Sequence, residues 1–329
     1  MRASTSAPVI PELKTRTIVT AVVPMYDEAA LLAANLARLD SALAAASDRY
    51  DFTYVLVDDG SSDDTYAIAQ RFARGRDDVK VLRHERNLGL GAALKTAREY
   101  VRGDYVLTVD ADLSYAPASF PDLLDRAAAE NADVVLASAY MAGGKVRNVP
   151  WMRALLSREA NRFLSMATNG RIATLTCLVR VYRRQTFAGL SFSASGMDVN
   201  ASLLFEALRN GARVVEVPAV LDWGDCRRSS RGSLRSICAL TWRTMRCGFG
   251  YRPSLLLAIP GLIPGLLPAV VAVLYFMHFS AAQIAFWSLV TVIVQYSSLA
   301  LFAGQAVTFF HRRRVVDRVS RPSLVATKE

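Results

Sequence analysis

Between Pro253 and Phe310 the sequence has no Asp, Glu, Lys or Arg at all. That absence excludes an ordinary solvated surface over the whole stretch. A bilayer crossing takes roughly 20 apolar residues. Two such runs fit here, near Leu255–Met277 and Ala282–Phe310, joined by an uncharged His-Phe-Ser-Ala link. Pro260, Pro264 and Pro268 would kink the first run, which membrane helices tolerate. The expectation is therefore two transmembrane helices within 253–310. Cysteine is scarce as well: Cys177, Cys226, Cys238 and Cys247 lack metal-site spacing and are expected to be free thiols. No zinc-finger, helix-turn-helix or basic-aromatic RNA-binding pattern occurs, so a nucleic-acid partner is not expected. The opening "MRASTSAPVIPELKTRT" has no apolar core; residues 1–16 are expected to be a disordered tail rather than a secretory signal.

What is present in excess is positive charge and apolar surface. The 329 residues carry a net charge of +10 and are 52% hydrophobic, with a mean hydropathy of +0.22. Arginines crowd the flanks of the apolar stretch, from Arg227 to Arg252 before it and from Arg312 to Arg318 after it. The link between the two runs carries none. The positive-inside rule then puts both termini and the preceding domain in the cytoplasm, as an integral protein of the cytoplasmic membrane. Anionic lipid headgroups account for the basic flanks.

From Thr17 onward, strand and helix patterns alternate. "TIVTAVVP", "FTYVLVDD", "VKVLRH", "YVLTVDAD" and "DVVLASA" read as buried strands. Between them lie helical patterns such as "DEAALLAANLARLDSALAAA" and the Ser/Asp-capped "SSDDTYAIAQRFAR". Such alternation predicts a mainly parallel sheet covered on both faces. Ligands gather at the carboxyl ends of such strands, where Asp58-Asp59 and Asp110/Asp112 fall. If the fourth strand runs through "DAD", alternation puts Asp110 and Asp112 on one face. Two carboxylates that close repel unless a cation lies between them, although a solvated turn also favours Asp.

Four motifs now stand in order: "VVPMYDEAALL", "VDDGSSDDT", "RNLGLGAALKTA" and "DADLSYAP". Together with "PWMRALLSREANRF" and "EVP" at Glu216–Pro218, they resemble the GT-A domain of family 2 glycosyltransferases. The resemblance is to the polyprenyl-phosphate sugar transferases, typified by dolichyl-phosphate mannose synthase. It implies a Rossmann-like α/β catalytic domain over 17–222, a basic amphipathic juxtamembrane segment over 223–252, the membrane hairpin, and a basic tail over 311–329.

The resemblance also implies roles. Asp110 and Asp112 would hold Mg2+ or Mn2+, which neutralises a leaving diphosphate. Pro24, Tyr26, Glu28, Asp58, Asp59, Gly91 and Ala111 would line the donor site with them. Two residues keep alternatives open: Asp58 as a cap on the following turn, and Glu28 as a first-turn carboxylate favoured by the helix dipole. Arg153 and Ser157, i and i+4 on a helix, resemble the pair that grips a lipid phosphate; an arginine merely solvated on a helix is the alternative. The same helix carries an apolar stripe of Met152, Leu155, Leu156, Phe163 and Met166, suited with Ser233–Phe249 to the membrane interface.

Two departures stand out. Ser138-Ala139-Tyr140 lacks the arginine of the family's Ser-Arg-Tyr, for which Lys145 or Arg147 would substitute. "TLTCLVR" keeps Thr176 and Arg180 but loses the family's aspartate and glycine. Arg228 and Arg231, in the basic "DCRRSSRGSLRS", are further phosphate-contact candidates. Asp198 would be a base only for a hydroxyl acceptor, and otherwise caps the helix that follows it. The implied reaction is inverting transfer of a sugar from GDP-mannose, a UDP-hexose or a UDP-N-acetylhexosamine to polyprenyl phosphate, for cell-envelope or protein glycosylation. A processive polysaccharide synthase and a non-catalytic nucleotide-sugar-binding scaffold are the alternatives. Two spans are few for moving the product across a bilayer, which leaves room for a flippase-like partner. Oligomeric state is open, a homo-oligomer included.

Overall fold

A computed structural model describes residues 16–192, 196, 198–224 and 234–252, with scattered positions between 273 and 293. The chain divides into two compact units, Met1–Cys247 and Gly248–Glu329. In the second unit the described backbone includes a helical stretch at 282–287. Residues 1–15 of the predicted tail, the basic "DCRRSSRG" segment, nearly all of the first predicted span and most of the second lie outside the described residues. Among the described residues no helix is long and apolar enough to cross a membrane.

The first unit alternates as the sequence predicts. Its elements begin β1 (Thr17–Met25), α1 (Ala29–Ala44), β2 (Tyr50–Asp58), α2 (Thr65–Ala73), β3 (Val79–Arg83), α3 (Leu90–Arg98) and β4 (Tyr105–Thr108). A 3-10 turn at Pro117–Ser119 leads into α4 (Phe120–Ala129), β5 (Val134–Ser138), β6 (Lys145–Arg147) and α5 (Trp151–Ala167). β7 (Arg180–Arg183), α6 (Arg184–Ala188), α7 (Val199–Arg209), β8 (Val214–Pro218), β9 (Val220–Asp222) and α8 (Leu234–Tyr251) follow.

The main sheet has seven strands in the order β3-β2-β1-β4-β7-β5-β8. β7 alone is antiparallel to its neighbours β4 and β5. β1 is central, with Val19, Ala21, Val22 and Val23 essentially inaccessible to solvent. Runs of Val, Leu and Ala suit strands whose two faces are both covered. Leu32, Leu36, Leu39 and Leu43 form the buried face of α1 at helical spacing. β6 and β9 form a separate parallel pair.

Two expectations are corrected. The fourth strand ends at Thr108 instead of running through Asp112. Asp110 to Leu113 form a turn, in which the Leu113 amide donates to the Asp110 carbonyl at 3.0 Å. The two carboxylates are therefore brought together by a turn, not by strand alternation. The expected Asp cap of α2 is supplied by Asp63, which accepts from the Thr65 amide at 3.0 Å, while Asp64 makes no side-chain cap. Asp198 stands at the N-cap position of α7 without a capping side-chain bond. Its carboxylate instead lies 3.0 Å from the Arg243 guanidinium of α8.

Candidate functional site

The turn after β4 is held from outside. The buried Asn35 side chain on α1 donates to the Ala111 carbonyl at 2.9 Å. Asp112 accepts from the Ser114 amide at 2.9 Å. Leu113 sits at φ 51°, a left-handed conformation that costs a non-glycine residue about 1–2 kcal/mol. Such strain persists only where surroundings over-determine it, as they do here. Asp110 and Asp112 consequently face a common cavity of about 420 Å³.

Electrostatics in that cavity are unbalanced. Asp110 keeps part of its surface open, but burial, with the Asp112 and Glu28 carboxylates adding to it, pushes its carboxyl up to about 8. The buried Arg180 pulls the other way. A divalent cation would relieve this crowding of negative charge. Among the described residues no group of three or more His, Cys, Asp or Glu side chains is arranged to hold a metal ion. A pair is what a magnesium-type ion needs when phosphate oxygens and water complete its shell. The donor set fits that ion.

The loops after β1 and β2 are zipped together by side chains. Asp27, at φ 51°, accepts from the amide and hydroxyl of Ser62 at 2.8 and 3.1 Å. Its own amide donates to the Ser61 hydroxyl at 3.0 Å. The Glu28 amide donates to Thr65 at 2.7 Å, and the Ala29 amide to Asp63 at 3.0 Å. The first turn of α1 is thus capped from the neighbouring loop. Pro24 is half-buried at the end of β1 and Tyr26 is exposed beyond it. Sequence reasoning missed Asp27, Ser61, Asp63 and Thr65 as partners; the readable signal is a cluster of Asp, Ser and Thr, all able to bind backbone locally.

Asp58 and Asp59 behave differently. Asp58 is fully buried at the tip of β2, and one oxygen accepts from the Ser61 amide at 3.2 Å. The other lies 3.1 Å from the Arg83 guanidinium but has no hydrogen bond of good geometry. Arg83 itself lies over the Tyr66 ring. Asp59 is spent on the chain: its carboxylate accepts from the Leu88 and Gly89 amides at 2.9 and 2.7 Å. It also pairs with His84 at 2.7 Å, whose other ring nitrogen meets Thr96 at 2.9 Å. Asp59 therefore shapes the Leu88–Gly89 loop. Gly91 is buried inside α3, and Gly89 takes the positive φ just before that helix.

α5 carries Arg153 and Ser157 into the cavity that holds the acidic pair. Its core-facing residues are Ala160, Asn161, Leu164 and Ala167. Of the predicted stripe, Met152, Leu155 and Met166 are exposed, while Leu156 lines the cavity and Phe163 is half-buried. Asn161 uses every polar atom: it donates to the Ser157 carbonyl and Thr176 hydroxyl and accepts from the Leu175 and Thr176 amides. That locks the 174–178 loop to α5. Arg153 lies over the Trp223 ring, 5.0 Å from its centroid.

The two departures meet in space. The Thr174 hydroxyl is 2.7 Å from that of Ser138 and accepts from the Tyr140 amide at 3.1 Å. Ala139, between those two partners of Thr174 in the sequence, is buried, as is Thr174 itself. Lys145 and Arg147 are exposed on β6 and are not among the residues lining the cavity; neither is Asp198. Arg228 and Arg231 lie outside the described residues.

Residues 20–190 match glycosyl transferase family 2. The chain belongs to that family. It is 35% identical over 210 residues to polyprenol monophosphomannose synthase of Mycolicibacterium smegmatis, covering 62% of this chain and 76% of that one. It is 31% identical over 205 residues to dolichol-phosphate mannosyltransferase of Pyrococcus furiosus, covering 61% and 55%. It is 34% identical over 169 residues to undecaprenyl-phosphate 4-deoxy-4-formamido-L-arabinose transferase of Aeromonas hydrophila, covering 51% and 49%. The match thus spans about half the length of the last two relatives. Among solved structures, a glucosyl-3-phosphoglycerate synthase of Mycobacterium tuberculosis with Mn2+, UDP-glucose and phosphoglyceric acid superposes with a TM-score of 0.55 at 19% identity, covering 75% of this chain and 85% of that one. That likeness establishes a GT-A-like mixed α/β fold.

Proposed function

We propose that this glycosyltransferase moves a sugar from a nucleoside diphosphate to the phosphate of a polyprenyl lipid. The observation that carries the reading is one cavity lined by both an acidic pair, Asp110 and Asp112, and an arginine–serine pair, Arg153 and Ser157. Relatives named for polyprenol, dolichol and undecaprenyl phosphates support the acceptor class.

Asp110 and Asp112 would hold the divalent cation, which supplies charge neutralisation to the departing diphosphate. Asp58, with an acceptor oxygen left over in a buried setting, suits an N–H on the nucleobase edge. Arg153 presents a planar fork matched to phosphate oxygens, and Ser157 adds a hydroxyl. A phosphate monoester with a second pKa of about 6 is already ionised at neutral pH. It needs no strong base. One of its oxygens bonds to the anomeric carbon as the bond from that carbon to the diphosphate oxygen breaks, inverting the centre. Catalysis reduces to positioning and electrostatics.

The same reading makes residues 17–222 the catalytic domain and 253–310 the membrane anchor, with the site on the cytoplasmic face. Screening GDP-mannose, UDP-glucose and UDP-N-acetylhexosamines against a short-chain polyprenyl phosphate tests it. Label entering lipid phosphate from one donor supports the proposal, and label entering none of them while nucleotide still binds would refute it.

A further inference from the structure

Among the described residues, the Arg153 side chain makes no ion pair or hydrogen bond; its guanidinium lies over the Trp223 ring. Trp223 is itself fixed unusually well for a residue just past a strand. Its amide donates to the Arg147 carbonyl at 3.2 Å, extending the β6–β9 pairing by one residue. The preceding Asp222 accepts from the Asn148 side chain at 2.6 Å and the Gly224 amide at 2.8 Å. The Asp222 amide donates to the Ser114 carbonyl at 2.8 Å, and Leu221 bridges Tyr115. Ser114 directly follows the Asp110–Leu113 turn. A short covalent and hydrogen-bonded path thus runs from the acidic turn, through β9, to the indole under Arg153.

We propose that Trp223 is a positioning residue: it holds the Arg153 guanidinium over its ring, in register with the Asp110–Asp112 turn, so that the arginine meets an acceptor phosphate already aligned. The proposal rests on the assignment of Arg153 to the acceptor phosphate. An aromatic face attracts a cation and leaves the guanidinium N–H groups, which lie in its own plane, free to donate. A carboxylate in the same place would hold Arg153 too, but would occupy those donors and repel the incoming phosphate. An indole does neither. Because the backbone at Leu221–Trp223 is tied to the segment after the β4 turn, the point from which the indole projects is fixed relative to the acidic pair.

The test is a double-mutant cycle on full-length protein in detergent, with a short-chain polyprenyl phosphate as acceptor. W223L, W223F, R153Q and R153Q/W223L are compared for acceptor KM, donor KM and kcat. The expected result is an acceptor KM raised on the order of tenfold by W223L, with donor KM essentially unchanged. W223F restores most of the loss, because a smaller aromatic face still holds a cation. In the R153Q background, W223L has no further effect. The proposal is overturned if W223L raises donor and acceptor KM together, if W223F is as impaired as W223L, or if W223L acts in full on top of R153Q. An R153Q protein with an unchanged acceptor KM would overturn the assignment of Arg153 itself, a distinct result. Should W223L not accumulate in folded form, W223Q and R153Q/W223Q, which likewise remove the aromatic face, carry the same comparison.

Discussion

Asn35 shows how far from the acidic pair its geometry is decided. It sits on α1, in a helix whose other buried residues are leucines, and its side-chain amide donates to the Ala111 carbonyl between the two aspartates. Removing it leaves that buried carbonyl without a partner, at a cost of about 1–3 kcal/mol. N35A is expected to lose stability in that range in urea unfolding and to lose turnover disproportionately, because the turn loosens where the diphosphate is to be held. A protein with unaltered turnover would show that the turn holds itself. The residues that make this site were legible in unequal measure. Asp110, Asp112, Arg153 and Ser157 stood in readable motifs and do line one cavity. Asn35 and Trp223 did not, since a lone amide in an apolar helix and a lone indole in a polar stretch gain their meaning only from partners 76 and 70 residues away. Those separations are between Asn35 and Ala111 and between Arg153 and Trp223.

Among the elements, the strands were readable because strands covered on both faces are written in Val, Leu and Ala. Their ends were not. β4 stops at Thr108 although Val109 continues the apolar run, because the following turn is imposed by Asn35 and by the Leu113 backbone. β6 and β9 are three residues each, too short to carry a periodic signal. The β2–α2 turn gives a sharper expectation. Gly60 adopts φ +73°, and a Cβ there would stand 2.3 Å from the Arg86 carbonyl carbon and 2.7 Å from the Asn87 nitrogen. Both are backbone atoms. G60A must therefore separate the Asp58–Asp59 turn from the 84–89 loop. We expect a loss of about 1–3 kcal/mol in unfolding free energy, with weakened nucleotide binding read by calorimetry. Wild-type affinity in G60A would mean that the two loops do not act together.

For the whole molecule, composition and structure divide the labour. The described first unit carries every residue named in the cavity, while the uncharged stretch from 253 to 310 supplies the apolar excess of the sequence. A polyprenyl chain stays in the bilayer while its phosphate reaches a water-filled site, so the two parts are complementary in the proposed reaction. A chain ending at Arg252 is expected to keep nucleotide affinity but to glycosylate membrane-embedded acceptor at least ~10-fold more slowly, through lost co-localisation. Equal rates for the full and shortened chains would separate the apolar stretch from catalysis.

The proposed transfer needs the acidic turn and a cation acting together. Label transfer from donor to short-chain polyprenyl phosphate, measured after chelation and after Mg2+ or Mn2+ is restored, tests this directly. The expected result is loss of transfer in the wild type on chelation and full recovery on metal addition, with D112N folded but inactive in both conditions. Transfer that persists under chelation, or a D112N protein that recovers with metal as the wild type does, would contradict it.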